Sequence, residues 1–68
     1  MELVVNGRRR DVPDRSTVAD LVASLGFGAK QVVVEHNGEA VARARFADIR
    51  LSDGDRVEVV RAVQGGAR

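Results

Sequence analysis

One amphipathic helix constrains the fold of this 68-residue chain more than any other feature. The stretch STVADLVASLG carries apolar residues at i, i+3, i+4 and i+7, namely Val18, Leu21, Val22 and Leu25. Thr17 and Asp20 fit a capping box at its start, and Gly26 fits the left-handed position beyond its end. Because one apolar stripe must be buried against another element, the rest of the chain has to supply a sheet with one apolar face.

Two Asn-Gly pairs predict tight hairpin turns before and after this helix. The first, Asn6-Gly7, joins β-rich runs at 2–5 and 8–12, and the second, Asn37-Gly38, joins runs at 32–35 and 40–42. The triplet Asp53-Gly54-Asp55 lacks the further ligands of a calcium loop and is interpreted as a turn before a last strand at 56–63. Between them we expect a connection with one turn of helix around 46–49, and we expect three of its residues to plug one end of the core: Phe46, Ile49 and Leu51.

Alternation along the strands assigns their valines to two faces of the sheet. Glu58 should face water, so the valines on either side of it belong to the core and Val60 is left outside. The same reasoning leaves Val4 and Val33 outside. Three valines on the open face of one sheet would form an apolar patch, and such patches often mark a partner surface.

The predicted element order is β, β, α, β, a short β and β. We therefore predict an α+β domain at residues 1–63, with a mixed sheet of four to five strands packed on one helix. Residues 64–68, which include Gly65 and Gly66, are predicted to form a flexible tail.

Composition excludes several classes of function. The chain has no cysteine and a single histidine, so thiolate sites and a histidine-based metal site are not expected. We interpret His36 as an exposed loop residue and the run at 8–10 as arginines that keep a strand edge soluble. Near-balanced charge and only two phenylalanines argue against nucleic-acid binding. With no membrane-length apolar run and no signal peptide, a cytoplasmic location is expected.

The segments VVNGRRRDVP, STVADLVASLG, VVVEHNGEAV and LSDGDRVEVVRAVQGG, taken in this order, carry a family resemblance over nearly all of residues 1–66. The chain resembles the β-grasp fold of ubiquitin-like proteins. Within that group it is most similar to the bacterial sulfur carriers of the ThiS type, which serve thiamin biosynthesis.

That resemblance implies a carrier with no catalytic residues, bound metal or cofactor of its own. In the family, an E1-like enzyme of the ThiF type uses ATP and Mg²⁺ to adenylate the terminal glycine, here Gly66. A persulfide derived from a cysteine desulfurase then supplies sulfur, and a thiazole synthase of the ThiG type accepts it from the resulting thiocarboxylate. Val63, Gln64 and Gly65 would thread the partner active sites, and Val4, Val33 and Val60 would form the docking face.

Ala67 and Arg68 depart from the family pattern, because Gly66 is held in a peptide bond and its carboxylate is not free. Three interpretations remain open: a peptidase trims the chain, the two residues do not belong to the natural chain, or carrier function has been lost. The sulfur could also serve molybdopterin, cysteine or another metabolite. A different class of function is also open, a ubiquitin-like binding module with an inert tail.

Overall fold

The computed structural model describes residues 1–62. The strands and the α-helix occur in the order β1 (Glu2–Val5), β2 (Arg8–Asp11), α1 (Val18–Ser24), β3 (Val32–His36), β4 (Glu39–Val41) and β5 (Arg56–Arg61). Short 3-10 turns lie at Ala29–Gln31 and Arg43–Arg45. The predicted boundary between domain and tail, at residues 63 and 64, lies outside the described part.

The five strands form one mixed sheet in the order β2-β1-β5-β3-β4. β1 and β5 are parallel, and every other neighbouring pair is antiparallel. The predicted α+β architecture, a five-stranded β-grasp sheet on one helix, is therefore confirmed for residues 1–62. β5 lies at the centre, so the strand that leads toward the glycine pair is supported on both sides.

The helix ends are set by local hydrogen bonds that the sequence predicted. The Thr17 hydroxyl accepts from the Asp20 N–H at 3.1 Å, and the Asp20 carboxylate accepts from the Thr17 N–H at 2.9 Å. Gly26 adopts φ +87°, which lets the Phe27 N–H turn back to the carbonyl of Val22 at 3.2 Å. The helix thus runs for only two turns and ends where the chain must turn toward β3.

The core lies between α1 and one face of the sheet. The buried apolar side chains are Leu3, Val5, Val12, Val18, Leu21, Val22, Val32, Val34, Phe46, Leu51, Val57 and Val59. The predicted strand faces and the plug formed by Phe46 and Leu51 are confirmed, whereas Leu25 and Ile49 are only partly buried. Burial on this scale stabilises a small domain mainly through apolar area removed from water.

Some predicted boundaries were wrong. The 3-10 turn lies at Arg43–Arg45 and not at 46–49, because the Phe46 carbonyl instead accepts from the Ala19 N–H of the helix at 2.9 Å. β2 ends at Asp11, and Val12 beyond it packs into the core. The arginines at 8–10 are exposed on the edge strand β2, as expected.

Candidate functional site

β5 is the last strand before Gly65 and Gly66 in the sequence. The Ala62 N–H donates to the Gln31 carbonyl at 2.7 Å, which fixes the residue after the strand to the segment before β3. The Arg61 guanidinium lies 5.8 Å from the centre of the Phe27 ring, within the range of a cation–π contact. These two contacts tie Arg61 and Ala62, the last described residues, to the chain between α1 and β3.

An asparagine side chain supports β5 where its pairing with β1 ends. Asn6 lies at φ +51° in the first hairpin turn. Its Oδ1 accepts from the Val59 N–H at 2.7 Å, and its Nδ2 donates to the Val59 carbonyl at 3.1 Å. The side-chain amide therefore takes the place of a strand peptide beside Val59 and extends the sheet by one position.

The second hairpin turn also holds β5 through an asparagine. Asn37 lies at φ +50°, and its Oδ1 accepts from the Arg56 N–H at 2.9 Å. Its Nδ2 donates to the Asp55 carboxylate at 3.2 Å. Both predicted Asn-Gly turns are present, and each does more than reverse the chain because its asparagine reaches the central strand.

His36 and Asp55 form the polar contact at the start of β5. The His36 Nε2 lies 2.7 Å from the Asp55 Oδ2, and the Ser52 N–H donates to that same oxygen at 2.8 Å. Partial burial tends to raise the pKa of Asp55, but the hydrogen bonds from His36, Ser52 and Asn37 outweigh it and lower that pKa below its ordinary value of 3.8. The prediction that His36 is an exposed loop residue was wrong, since it ends β3 with its side chain 22% exposed.

On the open face of the sheet, the structure brings two of the three predicted docking valines together. Val33 and Val60 are register partners on β3 and β5, with 54% and 58% of their surface exposed. Val4 is only half-exposed and pairs with Arg56 instead. Arg56 and Val60 are about 13 Å apart along the strand, so Val4 does not join the other two in one patch.

The remaining predicted site residues, Val63, Gln64, Gly65 and Gly66, lie outside the described residues. Among residues 1–62 no group of three or more potential ligands could hold a metal ion. In the same part of the chain, no helix has the length and apolar character needed to cross a membrane.

Comparison with known proteins identifies the family. The profile of the ThiS family matches residues 3–66, which is nearly the whole chain and ends at the second glycine of the pair. The chain belongs to the ThiS family. The sulfur carrier protein ThiS of Bacillus subtilis (strain 168) is 40% identical over 53 residues, covering 78% of this chain and 80% of that protein.

Solved structures agree with this ThiS assignment. The crystal structure of the thiamine biosynthesis protein ThiS from Geobacter metallireducens superposes with a TM-score of 0.82 at 36% identity. The alignment covers 97% of this chain and all of that one. A solution structure of a thiamine biosynthesis protein from the same organism gives a TM-score of 0.80 at 35% identity.

Longer relatives contain a segment like this ThiS-family chain. A thiazole synthase of Paramagnetospirillum magneticum (strain ATCC 700264 / AMB-1) is 37% identical over 67 residues, which is 98% of this chain and 21% of that protein. A thiazole synthase of Magnetococcus marinus (strain ATCC BAA-1437 / JCM 17883 / MC-1) is 32% identical over 97% of this chain. The chain spans about a fifth of the length of these two thiazole synthases.

The side chains that hold β5 were not predicted from the sequence. Asn6 and Asn37 were assigned to turns and Asp55 to a third turn, with no role beyond chain reversal. The Asn-Gly pattern is a local signal, and it does not indicate which strand the amide will reach. The sequence anticipates only the positive backbone φ of the two asparagines, which is typical of type I′ turns.

Proposed function

We propose that this protein is a sulfur carrier and that its reacting group is the carboxylate of Gly66. The observation that carries the proposal is the ThiS-family match, which extends through Gly66 and therefore includes the glycine pair. The described geometry supports it, because the glycine pair follows the central strand β5 in sequence and the end of that strand is held by contacts with Gln31 and Phe27.

The chemistry follows from the poor reactivity of a carboxylate. An E1-like enzyme of the ThiF type, using ATP and Mg²⁺, would let the Gly66 carboxylate attack the α-phosphate with loss of pyrophosphate. The terminal sulfur of a persulfide, formed by a cysteine desulfurase, then attacks the acyl carbon and displaces AMP. A second thiol cleaves the resulting acyl disulfide and leaves the thiocarboxylate. The bases and metal ligands belong to the partners, whose sites must exclude water from the adenylate.

We propose a thiazole synthase of the ThiG type as the recipient of the sulfur. Two relatives are thiazole synthases of which a segment matches this chain over almost its full length. A carrier-like segment within a thiazole synthase is expected if the two act on one another, because covalent linkage raises their effective concentration. This supports a role in forming the thiazole ring of thiamin.

The tail and the open sheet face would have separate tasks. Val63, Gln64 and Gly65 would thread a narrow channel, since glycine has no Cβ and permits many backbone conformations. Val33 and Val60 would form the centre of the docking face, with Val4 as a separate contact. Removal of Ala67 and Arg68 by a peptidase would release the Gly66 carboxylate.

The test compares three purified chains: residues 1–68, residues 1–66 and residues 1–65. Each is incubated with the adenylating enzyme, ATP, Mg²⁺, a cysteine desulfurase, cysteine and a thiol reductant, and its intact mass is measured. We expect replacement of one oxygen by sulfur only in the chain that ends at Gly66. Its absence there, with an active enzyme demonstrated on another carrier, would contradict the proposal.

A further inference from the structure

The backbone groups of β5 point alternately to its two neighbours. The Asn37 N–H donates to the Arg56 carbonyl, and the Ala62 N–H donates to the Gln31 carbonyl. The backbone N–H and carbonyl groups of even-numbered residues in this strand therefore point toward β3. The Asn6 N–H donates to the Val57 carbonyl at 3.0 Å, so the backbone N–H and carbonyl groups of odd-numbered residues point toward β1. The next odd-numbered positions are 59 and 61.

β1 does not reach the last of these positions. It pairs with β5 only at Val4 and Val5, after which the chain turns away at Asn6-Gly7. The Asn6 side chain occupies the N–H and carbonyl of Val59. Within residues 1–62, no group is hydrogen-bonded to the N–H or the carbonyl of Arg61 on this side of the strand.

The backbone at Arg61 is held in strand geometry. Arg61 is the register partner of Val32, and the following residue is bonded to Gln31, so β3 keeps the end of β5 extended. By strand alternation Arg61 lies on the same face as the buried Val57 and Val59, and its guanidinium is 5.8 Å from the centre of the Phe27 ring. An unpaired, extended N–H and carbonyl are a template for an added strand.

We propose that an extended strand of the enzyme that adenylates Gly66 adds to β5 at Arg61, through backbone hydrogen bonds. The inference rests on the proposed function, and it names how the partner binds. Strand addition of this kind gives affinity through the main chain and selectivity through side chains of the neighbouring face. Here that face carries the exposed Val60 beside the edge, and the paired strand would align the tail with the enzyme's site.

The first measurement is amide hydrogen exchange at Arg61 in the full chain, with and without the adenylating enzyme. We expect exchange of the Arg61 amide to slow at least about tenfold when the enzyme is bound, as for an amide that gains a backbone hydrogen bond. The amide of Val60 is the internal control, since it faces β3 and its protection should change little. An unprotected Arg61 amide in a demonstrated complex would overturn the proposal.

Two substitutions give an independent test. Arg61→Pro removes the N–H at an edge position where proline is tolerated, and Arg61→Ala removes the same side chain but keeps the N–H. We expect the proline variant to bind the enzyme about tenfold more weakly than the alanine variant. Equal affinities would overturn strand addition, and if the proline variant does not fold, the hydrogen-exchange result decides alone.

Failure of this inference is distinguishable from failure of the proposed function. If the 1–66 chain acquires sulfur but Arg61 remains unprotected in the complex, the edge proposal is wrong and the carrier function stands. If the ThiF-type enzyme protects Arg61 but no adenylate or thiocarboxylate forms on the 1–66 chain, the carrier function is wrong and strand addition stands. Protection by a thiazole synthase alone, or no binding by the adenylating enzyme, would overturn the edge proposal.

Discussion

Asn6 and Val59 are joined by two hydrogen bonds between a side-chain amide and a backbone peptide, of 2.7 Å and 3.1 Å. They are 53 residues apart in sequence, and the contact connects the first hairpin turn to the last strand. The position of β5 near its end therefore depends on the side chain of Asn6, which lies near the start of the chain.

Replacing Asn6 by glycine should lower the free energy of unfolding by about 1–3 kcal/mol, because two partly buried hydrogen bonds are lost. Glycine tolerates the φ of +51° at this position, so the change removes the amide without adding backbone strain. Urea denaturation measures the effect. Asn6→Ala is the matched variant and should be less stable still, since alanine disfavours positive φ. A glycine variant as stable as the wild type would contradict the role given to the amide.

The stability of the domain should depend on pH through Asp55. Its pKa is lower in the folded state than its ordinary value of 3.8, so its stabilising contribution is fully present above that pH. The contribution is lost as the pH falls below 3.8 toward the lowered folded value. Asp55→Asn should therefore reduce stability at neutral pH, and the difference from the wild type should shrink on acidification.

Chemical denaturation at a series of pH values from neutral to acidic checks this dependence. Asp48→Asn is the control, because Asp48 contacts Arg45 at 3.7 Å with both side chains largely exposed. Such exposed pairs contribute little, and this variant should remain within about 0.5 kcal/mol of the wild type. A constant difference between the wild type and Asp55→Asn at all pH values would argue against the assignment.

The docking role proposed for Val33 and Val60 can be tested separately from folding. Val60→Ser should weaken binding to the adenylating enzyme by about fivefold to tenfold, since an exposed apolar side chain would no longer be buried in the complex. Val4→Ser should weaken binding less, because Val4 lies beside Arg56 and away from the Val33–Val60 pair. Isothermal titration calorimetry gives the affinities, and equal losses in the two variants would indicate that the pair is not the centre of the interface.

The tail should tolerate no added bulk at Gly65. In the chain that ends at Gly66, Gly65→Val should reduce the rate of thiocarboxylate formation by about 10²-fold, because a branched Cβ would displace the terminal carboxylate within a narrow channel. Thermal unfolding should be unchanged, since the described core lies within residues 1–62. Time-resolved intact-mass measurement gives the rate. Normal sulfur transfer by this variant would refute the threading role.

Local sequence signals determined the elements of this protein. The capping box of Thr17 and Asp20, the C-terminal Gly26 and the two Asn-Gly turns all act within a few residues, so pattern and propensity are sufficient to predict them. The alternation around Glu58 likewise assigns the faces of β5, because it depends only on the period of a strand. The role proposed for Gly66 comes from the family resemblance.

Only the tertiary structure decided how these elements hold one another. The register of β1 on β5 separates Val4 from Val60, and it also aims Asn6 at Val59. The register of β3 on β5 likewise brings His36 to Asp55, although β4 and a long loop separate the two strands in sequence. Such contacts join residues that are 19 to 53 positions apart in the sequence. Hydrophobic periodicity and turn residues are local signals, so they do not specify the register between strands so far apart in the chain.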